Sequence, residues 1–211
     1  MSKELPKVSL IQYIAIVYNM VEAFFAILFG LLTRSIALTG FGLDSVVESC
    51  CNFVLVRRLK HSAKDPGITV AKIKQKPIVL VAILSFIFGS YVLVQSIKIL
   101  LIKMAPTPSL PGIAISIFSL IFMPLMAFLS YIRNHSLKKT VLLGLKDIWA
   151  YMSLSLGLLV GLGLNYFYGF WQADPVVGLI TVIFLYKKSL ESILGPGDAS
   201  DLAKIMDNLN E

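Results

Sequence analysis

Residues 17–50 read VYNMVEAFFAILFGLLTRSIALTGFGLDSVVESC: two apolar runs joined by Thr33, Arg34 and Ser35. Three acids, Glu22, Asp44 and Glu48, stand inside the runs rather than between them. Each run belongs to a segment near the ~20 residues a helix needs to cross a hydrocarbon core roughly 30 Å thick. An ionised side chain at mid-membrane costs roughly 2.5 to 3.5 kcal/mol on insertion scales, so acids placed there need a cation, a proton or a partner.

The same pattern continues outward along the chain. Beyond the segments at 10–32 and 36–56, apolar stretches run over 78–101, 112–132, 142–164 and 173–185. The sixth is short, and Lys187 and Lys188 are expected to lengthen its reach by snorkelling. Gly40, Gly42, Pro124, Gly157, Gly161 and Gly163 are compatible with membrane helices, where small residues permit close approach and neighbours satisfy a proline break. The predicted fold class is an all-α membrane protein, a bundle of six transmembrane helices with both termini cytoplasmic.

Composition agrees. Of 211 residues 57% are hydrophobic and 15% charged, against about 25% charged in an ordinary soluble domain. The net charge of +7 lies in connecting loops, without the interleaved aromatic residues of a stacking surface, so nucleic acid is not an expected partner. Lysines and arginines cluster at 3–7, 57–76, 133–139 and 187–204, whereas Arg34, Lys98 and Lys103 fall on the opposite side. That asymmetry puts the termini inside, and Tyr166, Tyr168, Phe170 and Trp171 at the outer interface. The N-terminal run lacks a small-residue cleavage site and reads as a retained span.

Residues 1–188 are therefore assigned to a transmembrane domain and 189–211 to a short cytoplasmic tail. In the tail Gly195, Pro196 and Gly197 break the chain, and Leu202, Ile205, Met206 and Leu209 mark one face of an amphipathic helix. Cys50 and Cys51 are adjacent and point different ways on a helix, so they do not form a framework disulfide.

Helix geometry gathers the polar residues of the first two spans. At 1.5 Å per residue Asp44 and Glu22 each lie ~18 Å from the inner face, and Glu48 and Asn19 at ~12 to 14 Å. Asp44 and Glu48 are four apart and share a helix face. Two carboxylates one turn apart repel each other, and a divalent cation or protons bound there remove the repulsion. Cys51, seven positions from Asp44, offers a softer ligand on that face or else packs as a small hydrophobe. The competing reading of the acids is a structural polar network paired between helices. Lys146 and Asp147, as sequence neighbours, do not face one another.

The block Ser35 to Glu48, SIALTGFGLDSVVE, resembles the second transmembrane helix of the cation diffusion facilitators. A small-residue run there leads to a metal-binding acid or histidine and, four residues later, an acid; Asp44 and Glu48 fall on those positions. The sequence is most similar to short bacterial and archaeal cation transporter-like members, which carry the tyrosine, asparagine and glutamate of YNMVE, here Tyr18, Asn19 and Glu22. LLVGLGLN (158–165) and the turn Ala173, Asp174, Pro175 extend the likeness across nearly all six spans. Two departures stand out. Where the fifth helix of the family supplies His or Asp and then Asp, this chain has Asp147 and Tyr151, with Gly144 where an acid often precedes them. Tyrosine keeps its proton near neutral pH and is a poor divalent-metal ligand. The cytosolic C-terminal domain that many members use for dimerisation is also not expected here.

The resemblance implies a divalent cation transporter, driving efflux by proton antiport, in the cytoplasmic membrane of a prokaryote. Its substrate would be an ion such as zinc, cobalt, manganese or iron, with no permanently bound cofactor. Asp44, Glu48 and Asp147 are the expected metal ligands. Asn19, Glu22, Cys51 and Tyr151 are expected around them or in a proton relay. Its partners would be the bilayer, the metal ion, protons and a second copy joined through membrane helices. The alternative is a non-transporting membrane protein, derived from a transporter fold, that binds metal or a partner. No phosphate-cradling loop for ATP is visible. Enzymatic chemistry is not expected either, since His61 and His135 lie in basic loops away from any nucleophile.

Overall fold

Six helices succeed one another in a computed structural model that describes residues 5–62, 79–133 and 138–194. They are α1 (Leu5–Thr33), α2 (Ile36–Ser62), α3 (Val79–Ile102), α4 (Leu110–Arg133), α5 (Lys138–Tyr168) and α6 (Ala173–Leu194). The chain is all-helical, with no strand among the described residues. The tail helix expected after Gly197 and most of the 57–76 loop lie outside them. α6 runs nine residues past the sequence-predicted end at Leu185, carrying Lys188 and Ser189 on one continuous helix.

Two helical stretches, Tyr13–Thr33 and Val79–Ile102, are long and apolar enough to cross a membrane by length and composition. The apolar stretch of α4 is shorter, Leu110–Met126, and α2 and α6 are interrupted by Asp44, Glu48, Asp174, Lys187, Lys188 and Glu191.

The helix ends show why the chain turns where it does. Arg34, in the left-handed region at φ 57°, closes α1. The amide of Ser35 bonds the carbonyl of Gly30 at 2.9 Å and that of Arg34 bonds Leu31 at 3.3 Å, the paired bonds of a Schellman cap. Lys103 repeats the device on α3, with φ 58° and the Met104 amide on the Ile99 carbonyl. Ser35 then caps α2, its Oγ accepting from the Leu38 amide at 3.1 Å, and Ser109 caps α4 through the Gly112 amide at 3.0 Å. Both are the hydroxyl caps expected before an apolar helix.

α2 is the hub. It packs closely on α1 and also meets α3, α5 and α6, while α3 pairs with α6 and α4 with α5. The tight α1–α2 contact depends on missing side chains: a Cβ on Gly42 would come within 2.7 Å of Ile27, and one on Gly30 within 2.7 Å of the Thr39 backbone nitrogen. Ala26, Leu38, Phe41, Leu154, Leu158 and Leu162 form the main apolar core.

Polar side chains are buried beside that core. Asn19, Glu22, Ser35, Asp44, Ser45, Ser85, Ser96, Ser119, Ser155, Asn165, Asp174 and Thr181 are all buried. Large apolar side chains cover the outside instead, among them Phe24, Leu28 and Leu32 on α1, Ile83, Phe86 and Ile87 on α3, and Ile117, Phe118 and Ile121 on α4.

Candidate functional site: a carboxylate pair closed by a lysine

Asp44 and Glu48 do share one face of α2, as their four-residue spacing requires, and that face meets α6. Between them sits an ammonium. Lys188 Nζ lies 2.6 Å from Asp44 Oδ1 and 2.7 Å from Glu48 Oε1. The Asp44 side chain is 5% exposed, Glu48 18% and Lys188 24%, so the cluster is shielded without being sealed. The Tyr151 ring of α5 forms its floor, with Nζ 5.2 Å from the ring centroid, within cation–π range.

The sequence predicts that both lysines of α6 snorkel along the helix. Lys187 does stay exposed, 3.9 Å from Glu191. Lys188 turns onto α2 instead, because two carboxylates in a partly dry setting attract an ammonium far more strongly than water-exposed ones do. Sequence reasoning missed this residue, yet a signal was present. Asp174, Thr181 and Lys188 recur every seven residues along α6, with only apolar side chains and Gly178 between Asp174 and Thr181, and the first two are wholly buried. Seven-residue spacing puts all three on one face.

Glu22 sits on the α1 side of α2. Tyr18 donates its hydroxyl to Glu22 Oε1 at 2.7 Å, and Ser45, next to Asp44, donates to Oε2 at 2.8 Å. Ser45 Oγ also lies 3.2 Å from the Phe41 carbonyl. Its single proton can serve either acceptor, so the hydroxyl is equipped to accept from a protonated Glu22 while donating to Phe41. The Tyr18 ring stacks on Phe122 of α4 at 3.7 Å between centroids, which fixes the direction of its hydroxyl. Ser119 and Ser155, 3.2 Å apart, carry the polar layer across to α4 and α5.

The other expected residues divide. Asn19 is 1% exposed, and among the described residues neither its amide nitrogen nor its oxygen has a hydrogen-bond partner. The Tyr151 hydroxyl is likewise buried without one among the described residues. Cys51 packs beside the apolar cluster of Val47, Val81 and Leu185, the setting of a small hydrophobe. Asp147 belongs to α5, but its side chain, like position 144, lies outside the described residues. Among the described residues no three His, Cys, Asp or Glu side chains converge to hold a metal ion.

The acid of the Ala173–Pro175 turn has a separate task. Asp174 Oδ1 accepts from Ser35 Oγ, and Oδ2 accepts from the Ile36 amide at 2.8 Å and the Ala37 amide at 3.5 Å. A carboxylate of α6 thus caps the N-terminus of α2, where unpaired amides and the helix dipole favour negative charge.

No protein-family model matches the chain, and no curated protein matches it.

Proposed function

We propose that this protein is a multi-pass membrane transporter that carries a divalent metal cation out of the cytoplasm in exchange for protons, with Asp44 and Glu48 as its cation site. One observation carries the reading: the Asp44–Glu48 pair, on a buried face of the central helix, already grips a cation with an oxygen from each residue. A pair that grips an ammonium at 2.6 and 2.7 Å has the charge and spacing to grip another cation. Glu22, with hydroxyl partners suited to either protonation state, is the proton carrier of this scheme.

The six helices then all span the bilayer, and the apolar girdle with its polar interior supports that arrangement. Water would penalise so many exposed Phe, Leu and Ile side chains, whereas lipid accepts them and forces polar groups inward. The likeness of GFGLDSVVE to the second helix of cation diffusion facilitators supports the substrate class and the prokaryotic cytoplasmic membrane. A second reading, a metal- or partner-binding membrane protein that does not transport, draws on the same lysine, since a permanent ion pair would occupy the site.

Two measurements decide. Reporter fusions after Glu211 and within 60–76 should read as cytoplasmic and fusions within 105–111 as external; a cytoplasmic reading at 105–111 removes the six-span arrangement. In proteoliposomes an imposed metal gradient should drive proton movement that Asp44→Asn abolishes. Metal binding without flux in the wild type selects the non-transporting reading.

A further inference from the structure

We infer that Lys188 is a tethered competitor for the cation site: its ammonium holds Asp44 and Glu48 together when no ion is bound, and an incoming divalent cation must displace it. The inference rests on the proposed transport site and adds the step by which that site is loaded.

The geometry requires exclusion. A zinc-sized ion needs carboxylate oxygens at about 2.0 to 2.2 Å, and Nζ stands 2.6 and 2.7 Å from the two oxygens such an ion would use. Two cations cannot share that point. The charges also favour exchange over addition. Two carboxylates and one ammonium sum to −1, whereas two carboxylates and a divalent ion sum to zero once the ammonium has left.

The lysine has somewhere to go. It stands six residues before the end of α6 at Leu194, ~9 Å along the axis, beside the exposed Lys187, and its own side chain is already 24% exposed. Snorkelling toward that end costs little for a flexible four-carbon stem. A second observation points to a guest. The Tyr151 hydroxyl is buried with no partner among the described residues, and its ring lies under Nζ. Among the described residues this hydroxyl is a hydrogen-bond group close to the site that Lys188 does not use, and a water carried by an incoming ion could use it.

The test uses the full-length protein in detergent with Co2+ as probe. Lys188→Met removes the competing charge and keeps the length, and should bind Co2+ about tenfold or more tightly than wild type. Lys188→Arg keeps the charge in a planar fork suited to two carboxylates and should bind no more tightly than wild type. Independently, reductive methylation read by mass spectrometry should find wild-type Lys188 protected without metal and labelled at saturating Co2+. Labelling of the exposed Lys98 and Lys103 should stay constant. Should Lys188→Met fail to fold, labelling decides alone, and no change on adding Co2+ overturns the inference. If Asp44→Asn abolishes Co2+ binding while Lys188→Met leaves it at the wild-type value, the competitor role fails and the cation site stands. If neither the wild type nor a folded Lys188→Met binds Co2+, both the site and the competitor role fall.

Discussion

α6 touches α2 with opposite charges at its two ends, and the two contacts are built differently. At one end the Asp174 carboxylate is held by the Ser35 hydroxyl and the amides of Ile36 and Ala37. At the other, the Asp44 and Glu48 carboxylates of α2 are held by the ammonium of Lys188. Backbone amides cannot leave, because the helix that presents them would have to unwind. A lysine on four rotatable carbons can. The same chemical group is thus structural where its partner is backbone and exchangeable where its partner is a long side chain, a distinction that acidity and burial alone do not make.

The hardest test of this contrast removes both exchangeable acids. Asp44→Asn with Glu48→Gln removes both charged partners of Lys188, which must then snorkel to the exposed end of α6, and should lower stability by about 2 kcal/mol or more through the lost charge-assisted bonds. Each single substitution leaves Lys188 one partner and should cost well under half of that. Unfolding in detergent measures the excess of the double over the sum of the singles, and strict additivity would deny that both acids share one ammonium.

Asp174→Ala should cost about 2 kcal/mol, because it strips the first amides of α2 and the Ser35 hydroxyl of a partner. Its Co2+ affinity should nevertheless match wild type when measured below the melting transition. Weakened binding in a folded Asp174→Ala would erase the division between a fixed end and an exchangeable one.

A smaller effect is expected at the third acid. Tyr18→Phe keeps the ring stacked on Phe122 and deletes one of the hydroxyl partners of Glu22, alongside Ser45 and Ser119, a loss of about 1 kcal/mol. If Glu22 carries the exchanged proton, the pH dependence of flux should move while Co2+ affinity does not. A shift in Co2+ affinity alone would put Glu22 on the cation instead.

Much of this was legible in the residues. Apolar runs near the length of a membrane span located the helices, while the left-handed turns at Arg34 and Lys103 that close α1 and α3 came only from the structure. The four-residue spacing of Asp44 and Glu48 placed them together for a purely local reason, helix pitch. Glu22 reached the same layer because α1 and α2 are joined by a minimal turn. Lys188 was not found this way: its partners are 144 and 140 positions away, and a lysine at a helix end obeys a general rule of snorkelling until a specific pair of acids overrides it. The Asp174 cap escaped for the same reason, since its sequence neighbours give no hint of the amides it meets. Interactions set by pitch can be read along a chain; those set by which helix lies beside which cannot.

The two basic left-handed turns have a mechanical meaning. Arg34 and Lys103 close their helices at the same end of the bundle as the Asp174 cap. That end is stitched further by the Thr107 amide on the Thr33 carbonyl at 2.9 Å and the Asn165 amide on the Pro106 carbonyl at 3.1 Å. Side chains in the left-handed region cost ~1 kcal/mol or more apiece, an expense tolerated where a rigid joint is needed. The bundle is therefore pinned at this end by backbone contacts from several loops at once. A small rotation of α6 about the Ser35 end is magnified with distance along the helix, and Lys188 sits ~21 Å from Asp174 by helical rise. At that far end the Ser189 hydroxyl on the Ala82 carbonyl still holds α6 to α3 at 2.8 Å, so on the proposed exchange any movement after release of the ammonium would be greatest there and least at the pivot.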